Sequence, residues 1–358
     1  MTKPWDLIVI GAGIIGVTVA WMAQKFHRKN VLLIEQKLAN RGATAYSLAL
    51  RTPYFESATM QALVLKSKRL YEDNIDVLPE CAPTRIPSFW IVQEADQDTL
   101  RSRLASDQLQ VASSAKQEEL LKYLPGLHVR VNERLMYDPD DIVGSPIKTS
   151  EILLRDYLCH GGTIIEGVRY TSCLESSWGV NVLLSDGICL SGTHVVVATG
   201  PWMAREFSSY LLPPVRSKKI VAFHIHEVPL PGCPIVQWMD EDIFLAPEYS
   251  RNRYLLSVCS EEWDVVPGDT SVSIRDAEVA SARFFLSQHL PRFMSAVSGG
   301  RVFCDGYSRT SAPYVSRDPF TKGVFYAGGA GGAGFRLAPA IADDVLMLMG
   351  VRSLIVHA

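Results

Sequence analysis

The stretch Asp6-Leu7-Ile8-Val9-Ile10-Gly11-Ala12-Gly13-Ile14-Ile15-Gly16 decides the fold. It begins with an unbroken apolar run, the pattern of a strand buried on both faces. The run stops at glycines spaced G-x-G-x-x-G, and a helical pattern follows to about Lys25. Val31-Leu32-Leu33-Ile34 is a second buried strand, closed by Glu35. Together these form a βαβ unit of about thirty residues with the spacing of a dinucleotide-binding fingerprint. Gly11 permits the tight turn, Gly13 lets the backbone approach a pyrophosphate, and Gly16 lets the helix pack close to the strand. The amides of Ala12, Ile14 and Ile15 belong to the same cradle, at the positive end of the helix dipole. Glu35, nineteen residues after Gly16, is placed to accept hydrogen bonds from an adenosine ribose, with Gln36 beside it.

Moving outward, Val324-Phe325-Tyr326-Ala327 reads as a strand. Gly328-Gly329-Ala330-Gly331-Gly332-Ala333-Gly334 follows and leads through Phe335-Arg336-Leu337-Ala338-Pro339 into an amphipathic helix ending near Met349. So many glycines expose backbone N–H groups and tolerate unusual φ, which suits a loop lying against an anionic or electron-rich ring. Val195-Val196-Val197-Ala198-Thr199-Gly200-Pro201-Trp202 is a buried strand that stops at a glycine, where backbone can sit against a nucleotide. An ordinary buried strand with a turn explains that segment equally well. Residues 163–168, ending at Val168, and 180–184 read as further strands. The loop containing Thr44, Ala45, Tyr46 and Ser47 is expected near the cofactor's phosphates or ring, through backbone more than side chains.

The rest of the chain has a different texture. Residues 86–144 carry helical patches at 98–106 and 116–123, and 213–304 are dominated by strand-like runs such as 220–226 and 253–259, with a helical stretch at 277–289. Two insertions into a nucleotide-binding framework predict one substrate-binding domain (86–144 and 213–304) and a discontinuous cofactor domain (1–85, 145–212 and 305–358). The fold class is α/β, a Rossmann-like domain with a second α+β domain on a mostly antiparallel sheet.

Composition excludes much else. At 358 residues and 47% apolar, the chain can bury a large core. A net charge of −3 gives no basic footprint for nucleic acid. The N-terminus runs into a strand without a basic region or cleavage site, and no apolar run is long enough to span a bilayer. Seven cysteines without a C-x-x-C pair indicate neither a disulfide framework nor a zinc site. They are expected reduced and mostly buried in a cytoplasmic protein, and no metal is expected.

On Gly11–Gly16 with Glu35, the Ala-Thr-Gly-Pro-Trp run at 198–202, and the glycine loop leading into Phe335-Arg336, the chain resembles the FAD-dependent amine and amino-acid oxidases. That group includes D-amino-acid oxidase, glycine oxidase and monomeric sarcosine oxidase. The similarity covers nearly the whole chain. It implies a glutathione-reductase-type FAD domain and makes FAD the expected cofactor. The stretch Ala49-Leu50-Arg51-Thr52-Pro53-Tyr54-Phe55-Glu56 looks like the family segment whose Arg helps clamp a substrate carboxylate, so the resemblance assigns that role to Arg51 and Arg336. Guanidinium forks suit planar carboxylates, although either Arg can instead pair with an acidic residue or an FAD phosphate. Arg216 and Arg309 are weaker candidates by position. Tyr254 and Tyr307 are the expected secondary pocket residues, and His224 and His226 alternate along a strand and so share a face, where they either help select the neutral amine or are ordinary surface residues. Where some members attach flavin through a Cys, this chain has Asp305, with Cys304 one residue off, so noncovalent FAD is expected. The family's oxygen-activating lysine has no evident counterpart, which leaves oxidase against dehydrogenase open.

The resemblance thus implies oxidation of the C–N bond of a small amine or amino acid to an imine by hydride transfer to flavin N5. Two other readings keep the flavin. One is a biosynthetic or maturation enzyme acting on a carrier-, peptide- or protein-bound substrate. The other is a flavin-holding subunit with little turnover of its own.

Overall fold

The computed structural model describes residues 4–48, 50–73, 84–207, 209–269, 271–310 and 312–354. Ala49 and Cys81 lie outside them. In chain order the main elements are β1 (Trp5–Ile10), α1 (Ile14–Lys25), β2 (Val31–Glu35), α2 (Ala58–Asp73), β3 (Thr84–Gln93), α3 (Gln97–Arg103), β4 (Gln110–Val111), α4 (Ser114–Tyr123), β5 (Glu133–Val143) and α5 (Pro146–Cys159). There follow β6 (Thr163–Glu166), β7 (Tyr170–Ser176), β8 (Gly179–Leu184), β9 (Cys189–Val197), β10 (Val215–Ile225), β11 (Ile235–Trp238), β12 (Ile243–Glu248), β13 (Arg253–Val258), α6 (Asp276–His289), β14 (Val297–Ser308), β15 (Tyr314–Arg317), β16 (Val324–Gly328) and α7 (Gly334–Leu348).

The first sheet runs β15-β16-β9-β1-β2-β6, with the β7–β8 hairpin joined to β9. β1 pairs in parallel with β2 (Ile8 opposite Leu32) and with β9 (Ile8 opposite Val195). Helices cover one face, where Leu7, Val9 and Leu33 pack against Val17 and Trp21 of α1, Tyr157 of α5 and Ile341 of α7. The opposite face buries Ile8, Ile10, Leu32 and Val197 under Met203 and Phe207. Burial on both faces accounts for the continuous apolar runs of β1 and β2. Parallel pairing brings the carboxyl ends of three strands together at Gly11, Glu35 and Ala198, where ligands bind in open α/β sheets.

The second sheet has the order β14-β10-β13-β12-β11-β3-β5-β4 and is antiparallel except between β11 and β3. Directly opposite residues share a face. Ala222 stands opposite both Ser257 and Arg301, and Ser257 opposite Phe244. Their side chains therefore lie on one face. The alternate set, Val221, Phe223, Tyr254 and Leu256, lies on the other and packs beneath Leu120 of α4 and Phe285 and Leu286 of α6.

Two features depart from the sequence reading. Helix α7 starts at Gly334, so Pro339 lies inside it rather than before it. Of the six described cysteines, all free, only Cys233 and Cys304 are buried. Cys159, Cys189 and Cys259 sit at element ends facing solvent.

Candidate active site: a cleft between the two sheets

A cleft of about 570 Å³ runs from the first glycine loop to the open face of the second sheet. At its nucleotide end the backbone is crowded enough to require glycine. A Cβ on Gly16 would lie 1.8 Å from the Gly11 carbonyl oxygen, and one on Gly11 (φ +101°) would lie 2.5 Å from that of Ala198. Thr44 Oγ1 accepts the Ile14 amide at 3.0 Å and so holds the 43–46 turn over the helix N-terminus. Glu35 accepts the Ala12 amide at 2.9 Å with one oxygen and the Lys37 amide at 3.0 Å with the other. A carboxylate has about four lone-pair sites, so each oxygen retains capacity toward the cleft.

At the other end, Ile220, Ala222, Phe244, Leu255 and Phe303 form an apolar wall, and Lys218, Asp242, Ser257, Asp305 and Tyr307 supply polar groups. The Lys218 ammonium lies 4.9 Å from the Trp263 ring centroid and 5.5 Å from that of Tyr307, and it donates to Cys259 Sγ at 3.1 Å. Burial pushes the Asp305 carboxyl up to about 7. Burial also raises the Tyr307 phenol, with Asp305 and Asp242 adding to the effect. The glycine loop closes against this tyrosine: Gly331 has φ +54°, and a Cβ there would lie 2.7 Å from the Tyr307 ring.

Most of the residues singled out from sequence line this one cleft. They are Gly11, Gly13, Ile14, Ile15, Glu35, Gln36, Thr44, Tyr46, Ser47, Val168, Ala198, Thr199, Gly200, Trp202, Tyr307, Gly329, Gly331, Gly332, Gly334 and Phe335. Ala12, Gly16, Ala45 and Ala333 stand behind the lining. Three expectations need correction. Tyr254 points away from the cleft: it packs on Phe293 and contacts Cys233 beneath the second sheet, because strand alternation gives the cleft to Leu255 and Ser257 instead. Arg309 is exposed, its Nε donating to the Pro213 carbonyl at 2.8 Å.

The third correction concerns the arginine clamp. Arg51 and Arg336 do come together, but on a separate small pocket shared with Lys68, Tyr71 and Asp138. Arg51 lies over the Tyr71 ring at 4.2 Å, and Arg336 donates to the Thr52 carbonyl. Burial lowers Arg336 to about 10, opposed by nearby Asp141. Arg216, the other weak candidate, pairs with Asp264 at 2.5 Å.

Strand pairing also brings in residues that sequence reasoning missed, chiefly Lys218 and Arg301. The alternation in Lys218-Lys219-Ile220-Val221-Ala222 and Arg301-Val302-Phe303-Cys304-Asp305 marks two faces, but only pairing says which one meets the cleft. Asp305 stands opposite Lys218 on the cleft face, whereas Cys304 stands opposite Lys219 on the other. Elsewhere, Glu133, Glu241 and His289 converge. The cation they hold is Arg130, 3.4 Å from each carboxylate and 3.1 Å from His289 Nε2.

A family profile described as FAD dependent oxidoreductase (DAO) matches residues 6–346. The chain belongs to the DAO family of FAD-dependent oxidoreductases. Its fold matches glycine oxidase from Geobacillus kaustophilus (TM-score 0.78, 19% identity, covering 100% of this chain and 98% of that one). It also matches L-proline dehydrogenase from P. horikoshii (0.78, 16%, 99% and 96%) and iminodiacetate oxidase from Chelativorans sp. BNC1 (0.76, 16%, 98% and 97%). A comparison with curated protein sequences returned no significant match.

The cleft of this DAO-family enzyme fits FAD on its own geometry. Residues Gly11 to Ile15 and the α1 N-terminus would hold the pyrophosphate, Glu35 the ribose, and the Gly329–Gly332 loop with Tyr307 the ring end. Among the described residues no helix is long and apolar enough to cross a membrane.

Proposed function

We propose that this FAD-dependent oxidoreductase oxidises the C–N bond of a small amino acid or secondary amine to an imine. The observation that carries the reading is the apolar wall of Ile220, Ala222, Phe244, Leu255 and Phe303 facing the glycine loop, with Asp305, Lys218 and Tyr307 at its edge. The names of the matched folds support the substrate class: glycine, proline and iminodiacetate are all amino or imino acids. Bound FAD would supply the two-electron acceptor, its N5 taking the hydride from the substrate carbon.

The wall excludes water and holds that carbon in place, and positioning of this kind is worth several orders of magnitude in rate. Amines reach the enzyme mainly as ammonium ions, and only the neutral form gives up a hydride readily. The Asp305 carboxyl, near 7 in the cleft, takes the ammonium proton at a carboxylate oxygen, close to the working pH where proton transfer is most efficient. Asp305 in place of a flavin-linking cysteine supports noncovalent attachment. The test is anaerobic titration of the FAD-loaded protein with a panel of amino acids and N-methyl amino acids. Bleaching of the flavin by one class supports the proposal. Flavin that stays oxidised with every member refutes it and leaves the bound-substrate reading in its place.

A further inference from the structure

We infer that the cleft carries an anion subsite built from Arg301, backed by Arg253 and set by Glu248, and that the substrate is an amine bearing a carboxylate several bonds from the reacting C–N bond. The inference deepens the function proposed above and rests on it for the position of the reacting carbon.

Several buried nitrogens on the cleft face of the second sheet lack partners. Arg301 Nε, Arg253 NH2 and His224 Nε2 are buried side-chain atoms without a hydrogen-bond partner. Arginine nitrogens can only donate, so the two guanidinium nitrogens are unmet donors, each costly to bury. Among the described residues, Glu248 is the carboxylate that meets both arginines. It accepts from Arg253 Nε at 2.6 Å and lies 3.5 Å from Arg301 NH1. Both arginine side chains are largely buried, at 10% and 12% exposure. Arg251 reaches the same carboxylate at 4.0 Å from an exposed position. Two buried guanidinium groups against one carboxylate leave a positive charge uncompensated, and burial correspondingly depresses Arg301. His224 is pushed down to about 4, first by burial and then by Arg253. It is therefore neutral and does not add to the charge.

Arg301 is the member of the cluster that lines the cleft. It stands opposite Ala222, while Asp305 stands opposite Lys218. Four residues along one strand separate their Cα atoms by about 13 Å. A ligand whose amine lies at Asp305 therefore meets Arg301 with a distal group, not with the atoms that react. The group that satisfies a buried guanidinium with spare donors is a carboxylate, planar and rich in acceptors.

The test uses the FAD-loaded protein and two readouts. Binding of glutarate and of its neutral diamide, glutaramide, is followed by perturbation of flavin absorbance, which needs no turnover. The expected result is at least tenfold tighter binding of glutarate, a preference that Arg301→Gln abolishes and Arg301→Lys keeps in part. In turnover, both enantiomers of glutamate and 2-aminobutyrate are compared. Loss of one charged hydrogen-bonding partner should raise the glutamate KM about 10- to 100-fold in Arg301→Gln, with a smaller change in kcat.

Equal binding of glutarate and its diamide, or no binding of glutarate, by the unsubstituted protein overturns the subsite, as does a glutarate preference that survives Arg301→Gln. If neither amine bleaches the flavin while the glutarate preference is intact and depends on Arg301, the subsite stands and the C–N oxidation reading fails. Because the unsubstituted protein alone decides the binding arm, a variant that does not fold leaves the test in force.

Discussion

Asp305→Asn should stabilise the protein above neutral pH and leave it unchanged in acid. The Asp305 carboxyl is held at about 7 against an ordinary value of 3.8, and burial is the cause. Well below pH 4 the folded and unfolded chains both carry the proton, so the group adds no pH-dependent cost. Between those limits the unfolded chain ionises while the folded one does not, so stability falls as pH rises. Above about 7 the folded chain ionises too and the loss levels off. At about 1.4 kcal/mol per pH unit, the interval is worth at most about 4 kcal/mol. Water in the cleft reduces that ceiling, and about 2 kcal/mol is the expected size at pH 8. Asn has nearly the same shape and does not titrate, so the variant should lose this share of the pH dependence. Urea unfolding midpoints for both proteins at intervals from pH 4 to pH 8 measure it. Curves that stay parallel over the whole range would refute an enclosed, proton-holding Asp305, and with it the proton-accepting role proposed for this residue.

Gly16→Ala should yield folded protein without flavin, because the added methyl would collide with the Gly11 carbonyl at 1.8 Å and displace the pyrophosphate loop; flavin absorbance per mole of purified protein measures it, and a stoichiometrically yellow variant would disprove the cradle. Acid precipitation should leave the flavin in the supernatant, since Asp305 stands where the resemblance puts the flavin-linking cysteine of other members; colour retained in the pellet contradicts noncovalent attachment. Lys219→Met removes a cation that is 1% exposed and bridges Glu262 at 2.7 Å and Glu278 at 2.9 Å. The loss should be about 2–3 kcal/mol, below the 3–5 typical of wholly buried pairs because Arg275 still holds Glu262; an unchanged urea midpoint would show that the bridge contributes nothing.

The elements legible in the sequence were those that local chemistry dictates. A strand buried on both faces must be apolar throughout, and a helix that cradles pyrophosphate must start on glycines, so β1, α1 and β2 could be read directly from residues 6–35. Helix α5 could also have been found. Ser145 accepts the Lys148 amide as its N-cap, and Pro146 occupies the first helical position, a recognisable start signal. The arginine clamp failed for a different reason. Arg51 and Arg336 are neighbours in space as the resemblance implies, but whether their guanidinium groups reach the cleft depends on how the 50–56 segment packs against α2 and β5, and no local pattern encodes that.

By itself, the sequence determined that this chain binds a dinucleotide through a glycine cradle, and the resemblance carried by those motifs made that dinucleotide FAD. Those motifs are short and contiguous, and their physics is local. Only the tertiary structure decided which side chains face the cofactor from the second sheet. A one-residue change of register exchanges the two faces of a strand, so Leu255 rather than Tyr254, Asp305 rather than Cys304, and Arg301 rather than Val302 could be assigned to the site only once β10, β13 and β14 were paired.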